Sequence, residues 1–183
     1  LIQYADNGVL LPRGACSGGY SFIMTGCPAT NMLVSTYMKD LMKKTKPSHA
    51  YEAIKRNHAP GGMMSYESAD DLKFYVKKGY CPGNAGKTLE WAFQDWGLSR
   101  MALRMGKKSD AALYEKRSRA WTPLFNKNIG LILPKKENGE WLHTDPLNGQ
   151  GWVEANAWQA TWSVSHDLPK LVELMGGGDA FCK

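Results

Sequence analysis

Lys87-Thr88-Leu89-Glu90-Trp91-Ala92-Phe93-Gln94-Asp95-Trp96-Gly97-Leu98-Ser99-Arg100-Met101-Ala102-Leu103-Arg104-Met105 is the clearest helical stretch of the chain. Leu89, Ala92, Phe93, Trp96 and Leu103 recur at spacings that place them on one broad apolar face. Gly106 follows as a natural C-terminal cap. Downstream, Ser109 opens a second helix with Ala112, Leu113, Lys116, Ala120 and Leu124 in period. Upstream, Ser68-x-x-Asp71 is a weak capping box for a short helix that stops at Gly79. Ser48 starts another helix, reaching Arg56 before Pro60-Gly61-Gly62. A further one begins after Pro28, with Met32, Leu33, Thr36, Tyr37, Asp40 and Leu41 in period, and ends near Lys44. Residues 1–25, rich in Gly and Pro, read as loop with a short extended piece at Tyr20 to Met24.

Toward the C-terminus, Asn138-Gly139 marks a tight turn between Leu131–Lys136 and Trp141–His143. Ala157 to Val164 reads as helical. Asp167-Leu168-Pro169 starts a last helix, Lys170 to Met175, ended by Gly176-Gly177-Gly178. No βαβ alternation occurs, which argues against a parallel sheet. The expected fold class is all-α, built of helical hairpins with long loops.

The 183 residues suffice for one domain with its own core. Net charge is +6, from 23 basic and 17 acidic residues. The excess sits in Lys39 to Lys46 and Lys135-Lys136, with no basic stripe interleaved with aromatics, so nucleic-acid binding is disfavoured. No apolar stretch reaches the roughly 18 residues of a membrane helix. Cys16, Cys27, Cys81 and Cys182 show no zinc-type spacing; free buried thiols are the expected state, with one or two disulfides the alternative in an oxidising compartment. The chain does not begin with Met, and the expectation is a piece of a larger polypeptide. Seven Trp and eight Tyr are many for this length; they suit either a helical core or a carbohydrate-binding surface.

Chemistry concentrates in Trp152-Val153-Glu154-Ala155-Asn156-Ala157-Trp158-Gln159. Indole faces stack on pyranose rings, amides bond to hydroxyls, and a carboxyl group moves protons. Glu154 beside apolar surface could stay protonated as a general acid; a Glu favoured by a helix dipole would look the same. Asn156 and Gln159 offer hard oxygens suited to calcium, or capping groups. His166-Asp167 could orient a site residue, or Asp167 could act as an N-cap. Glu90 and Asp95 lie five positions apart, off a common helical row, and Arg117 or Arg119 could clamp either.

Four segments in order carry a resemblance: Thr88-Leu89-Glu90-Trp91-Ala92-x-x-Asp95-Trp96; Tyr114-x-x-Arg117-Ser118-x-x-Trp121; Glu154-Ala155-Asn156-Ala157-Trp158-Gln159-x-x-Trp162; and His166-Asp167 followed by Leu171 and Leu174-Met175-Gly176-Gly177. Together they resemble the catalytic domain of glycoside hydrolase family 92, calcium-dependent exo-acting α-mannosidases that are mostly bacterial and exported. The similarity runs from about Gly79 to Cys182 and is looser over residues 20–60.

The resemblance implies an (α/α)6 toroid and an inverting α-mannosidase, of α-1,2 type, trimming mannose from glycans. It puts Glu154 in the general-acid position and gives the calcium site Asn156 and Gln159. Trp158, Glu90, Asp95, His166 and Asp167 become substrate-binding candidates. The family's general base lies on a segment beyond residue 183. Residues 1–183 are therefore expected to be one incomplete helical domain, the central segment of the catalytic domain, without the N-terminal β-sandwich or the C-terminal part. The expected partners are a mannose-containing glycan and the remainder of that domain, with no membrane span, in an exported protein. Such a chain would be inactive alone. Rival readings are a non-catalytic carbohydrate-binding or structural subunit, and an (α/α)6 glycosidase acting on glucosides.

Overall fold

The computed structural model describes residues 1–16, 19–66 and 68–182, leaving aside the side chains of Tyr4 and of residues 15, 16 and 19–21. The thiol state of Cys16 and the loop position of Gly18 fall outside that description. In chain order the elements are α1 (Ile2–Asp6), a hairpin of β1 (Gly14–Cys16) and β2 (Gly19–Ser21), α2 (Ala29–Met38), α3 (Pro47–Asn57), α4 (Ala69–Lys78), α5 (Ala85–Arg104) and α6 (Lys108–Arg117). There follow a small antiparallel pair of β3 (Phe125–Asn126) and β4 (Leu131–Ile132), then α7 (Ala157–Ala160), α8 (Leu168–Leu174) and α9 (Gly178–Phe181). The described residues are mainly helical, as the periodicity predicts.

Helix α5 organises the rest. Asn84 caps it, its side-chain oxygen accepting from the Lys87 N–H at 2.8 Å. At the far end Lys107 N–H reaches Ala102 O at 2.9 Å, closing the helix at Gly106. The single apolar face expected of it is only part of the truth: Leu103 is 54% exposed, while Trp91, Leu98, Met101 and Ala102 are buried. Leu89, Trp91 and Ala92 enter one core with Trp121, Leu124 and Trp152. Leu98, Met101 and Ala102 enter a second core with Tyr51, Ile54 and Tyr114. A helix apolar on several sides is a central helix. Helix α2 crosses it at Gly97, where an added Cβ would lie 2.1 Å from Asn31 Oδ1. A side chain at position 97 would force the Asn31 amide to move.

Local chemistry moves several expected boundaries. Helix α2 stops at Met38, not Lys44, because Asp40 is left-handed (φ 57°) and Leu41 N–H returns to Thr36 O at 2.9 Å. Arg104 of α5 then donates to Tyr37 O (3.1 Å) and Met38 O (2.7 Å), satisfying carbonyls the helix leaves open. Met32, though in period, is 63% exposed. Helix α3 starts with Pro47 in its first turn, so Ser48 is inside the helix rather than its cap. In α6 the buried residues are Ala111 and Tyr114, one step off the expected Ala112 and Leu113. Residues 1–25, expected as loop with an extended piece at Tyr20 to Met24, contain α1 and the β1–β2 hairpin, whose second strand ends at Ser21. The Asn138-Gly139 turn is present: Lys136 N–H donates to Glu140 O and Leu142 N–H to Pro134 O, both at 2.8 Å. Ser68 caps α4 through the Asp71 N–H. Cys27 and Cys81 are buried free thiols and Cys182 is an exposed one. Among the described residues no helix is long and apolar enough to cross a membrane.

Candidate active site

A cleft of about 650 Å³ lies between the N-terminal half of α5, the loop 23–28 and the segment 153–165. Gly86, Leu89, Glu90 and Phe93 of α5 line it, one helical face at spacings of three and four. Val153, Ala155 and Gln159 form the facing wall. The mix of apolar wall and few polar groups is that of a small-molecule site.

Glu154 stands exposed between Val153 and Ala155, two residues that line the cleft, and is not itself among the lining residues. Its backbone is left-handed (φ 51°), a conformation that costs a non-glycine residue roughly 1–2 kcal/mol. Met24, which also lines the cleft, is left-handed too (φ 68°). Strain of this kind concentrates at functional sites. The segment is anchored on the N-terminus of α5, where Gly151 O accepts from the N–H groups of Ala85 (2.8 Å) and Gly86 (3.4 Å). These are donors that the helix itself cannot satisfy.

The two indoles of the run divide. Trp152 is buried in the core, whereas Trp158 is 53% exposed, its carbonyl accepting from Trp162 Nε1 at 2.9 Å. Asn156 and Gln159 form a reciprocal capping box on α7: Asn156 Oδ1 accepts from Gln159 N–H and Gln159 Oε1 from Asn156 N–H, both at 3.1 Å. Calcium takes 6–8 oxygen ligands, usually with carboxylates among them. Two neutral amide oxygens already engaged in a cap do not fit that need. Among the described residues no cluster of three His, Cys, Asp or Glu could hold a metal.

The sequence places Asp95 among substrate-binding groups; the structure leaves it 0% exposed, inside the molecule. Its Oδ1 meets His58 Nδ1 at 2.8 Å, and its Oδ2 accepts from Tyr75 OH (2.9 Å) and Arg117 Nε (2.8 Å). Arg117 is thus the clamp of Asp95, while Arg119 lies 3.7 Å from Glu115. The His58 ring is held up at about 9: burial opposes its charge, but the Cys27 sulfur and the Asp95 carboxylate outweigh burial. Its Nε2 contacts Thr30 Oγ1 (2.9 Å) and Cys27 Sγ (3.3 Å).

Glu90 does line the cleft, and burial pushes its carboxyl up, with the Gln94 hydrogen bond and the Arg13 charge pulling back. His166 bonds Ser118 O through Nε2 at 3.0 Å and lies against Phe93 and Trp96. Burial lowers its pKa. Asp167 makes no side-chain cap on α8, and its Oδ2, like His166 Nδ1, is a buried atom without a described partner. Neither residue lines the cleft, although Ser165 does. Sequence reading missed Arg13. Its guanidinium donates to Gly26 O, Met24 O and Met63 O, each at 2.8 Å, and so shapes the rim loop. A lone Arg in a Gly-rich segment gives no periodic signal of that role.

The profile of the glycosyl hydrolase family 92 catalytic domain matches residues 1–183. The chain belongs to glycosyl hydrolase family 92. An inverting mannosidase of family GH92 from Bacteroides thetaiotaomicron superposes with a TM-score of 0.88 at 29% identity, covering 99% of this chain and 25% of that one. A second family GH92 α-mannosidase from the same organism gives a TM-score of 0.85 at 24% identity, over 99% of this chain and 24% of that one, and shows the shared fold. An uncharacterized secreted glycosidase of Arthroderma benhamiae is 24% identical over 206 residues, which is 91% of this chain and 26% of the relative. The chain therefore spans about a quarter of the length of these relatives.

Proposed function

We propose that this chain carries part of the active cleft of an inverting exo-α-mannosidase, acting on α-1,2-linked terminal mannose of glycans. The observation that carries the reading is Glu154: an exposed carboxyl on strained backbone, flanked on both sides by residues that line the cleft, in a family 92 chain. Glu154 protonates the glycosidic oxygen as the bond to C1 breaks. Inversion needs a second carboxylate roughly 6.5–9.5 Å away to activate water on the opposite face of the sugar. That base comes from the remainder of the catalytic domain. Trp158 offers a stacking face and Glu90 an acceptor for hydroxyls. Calcium dependence belongs to the proposal; the metal's charged ligands would come from outside the described residues. The secreted relative supports export.

In the full-length protein, Glu154→Gln should greatly lower turnover of an alkyl α-mannoside, whose departure needs protonation. Turnover of 2,4-dinitrophenyl α-mannoside should fall far less. Equal losses on both would rule out the acid role. EDTA should abolish activity, and residues 1–183 alone should have none.

A further inference from the structure

We infer that Gln94 is a positioning residue: tied to the backbone of Cys27, it fixes the Glu90 carboxyl against the cleft so that the free oxygen of Glu90 reads a sugar hydroxyl. This rests on the sugar-cleft reading above.

The orientation of the Gln94 amide is dictated by its neighbours. The Cys27 N–H can only donate, and it meets Gln94 Oε1 at 2.8 Å, with Cys27 Sγ a second donor at 3.3 Å. Gln94 Nε2 is therefore turned toward Glu90, and donates to its Oε1. An ionised carboxylate is acceptor-only, so this pairing suits the charged form of Glu90. The other oxygen of Glu90 accepts no hydrogen bond from a described residue, and Glu90 lines the cleft. A sugar hydroxyl is a donor of the right kind for that oxygen.

The assembly is tightly fitted. Gly26 has φ 75°, and a Cβ there would lie 2.6 Å from Gln94 Nε2 and 2.7 Å from Glu90 Cγ. The loop can close over both side chains only because position 26 lacks a side chain. Behind it, Cys27 is held by Thr30 at 3.3 Å, and His58 by Asp95 at 2.8 Å, so the anchor of Gln94 is itself part of the buried ionic cluster. The group facing the cleft is thereby coupled to the packing of α2, α3 and α5.

The test uses the full-length protein and 4-nitrophenyl α-mannoside. Glu90→Gln puts an amide where the free oxygen was; KM should rise on the order of tenfold or more, with kcat changed far less. Gln94→Glu keeps an acceptor for Cys27 but faces Glu90 with a second carboxyl. Like charges raise the Glu90 pKa, so the pH below which KM deteriorates should move up by about one unit or more. The exchange variant Glu90→Gln/Gln94→Glu restores the hydrogen bond in the reverse sense. It should recover the thermal midpoint lost by Gln94→Glu, but not KM. An unshifted pH profile in Gln94→Glu, or recovery of KM by the exchange, would overturn the inference. If the wild type hydrolyses no mannoside, the mannosidase reading fails by itself. The inference is then read from the Glu90 carboxyl carbon resonance on adding methyl α-mannoside or methyl α-glucoside. A shift in the wild type that is lost in Gln94→Glu upholds it; no shift with either glycoside overturns it.

Discussion

Replacing Asp95 by Asn keeps the shape of the side chain and removes its charge from a site with no solvent contact. Wild-type Asp95 Oδ2 accepts from both Tyr75 and Arg117, and Oδ1 faces His58. An Asn carries one acceptor oxygen and one donor nitrogen. At least one of these partners then faces an N–H and loses its bond, while the Arg117 and His58 cations are left facing each other. Removing one partner of a buried ion pair costs about 3–5 kcal/mol. A domain's whole stability is about 5–15 kcal/mol. The substitution should therefore remove a large part of the margin, read as the urea midpoint of the full-length protein. The cost should also depend on pH. His58 is raised from 6.5 to about 9, a difference worth about 3 kcal/mol. A raised folded-state pKa gives stability that is complete below the unfolded value of 6.5 and is lost as pH rises through 9. Wild type should thus weaken between pH 7 and 9.5, and the gap to Asp95→Asn should narrow. A cost below about 1 kcal/mol at pH 7, or a gap that widens at pH 9.5, would refute the ionic account.

Asn156→Ala removes the acceptor of the capping box on α7 and should cost about 1 kcal/mol, read as a lower urea midpoint; Asn156→Asp, which keeps the acceptor, should cost far less. Arg13→Met leaves the carbonyls of Met24, Gly26 and Met63 without their guanidinium donor, so the rim loop should become accessible to protease well before global unfolding, read by limited proteolysis of the full-length protein.

What was legible in the sequence was local. The cap at Ser68, the stop at Gly106 and the Asn138-Gly139 turn depend on neighbours within a few positions, and helix existence followed from apolar periodicity; the Asn84 cap of α5 went unread. The buried surface of α5 was not legible as one stripe, because the helix serves two cores and its apolar positions run around it. The end of α2 was misplaced because it depends on Arg104, far along the chain. At the site, Glu154 could be singled out by residue type and company, yet its left-handed backbone could not. Asn156-x-x-Gln159 carried the spacing of a capping box in plain view. Asp95 misled because a carboxylate amid aromatics on a helix looks the same whether it faces solvent, substrate or three buried donors.

The attachment of Gly151 to the first turn of α5 has a mechanical meaning. The same helix that bears Glu90 also moors the segment bearing Glu154, through the Ala85 and Gly86 N–H groups. Two carboxyl groups far apart in sequence share one mounting. A substitution that disturbs the first turn of α5 is therefore expected to disturb both carboxyl groups together.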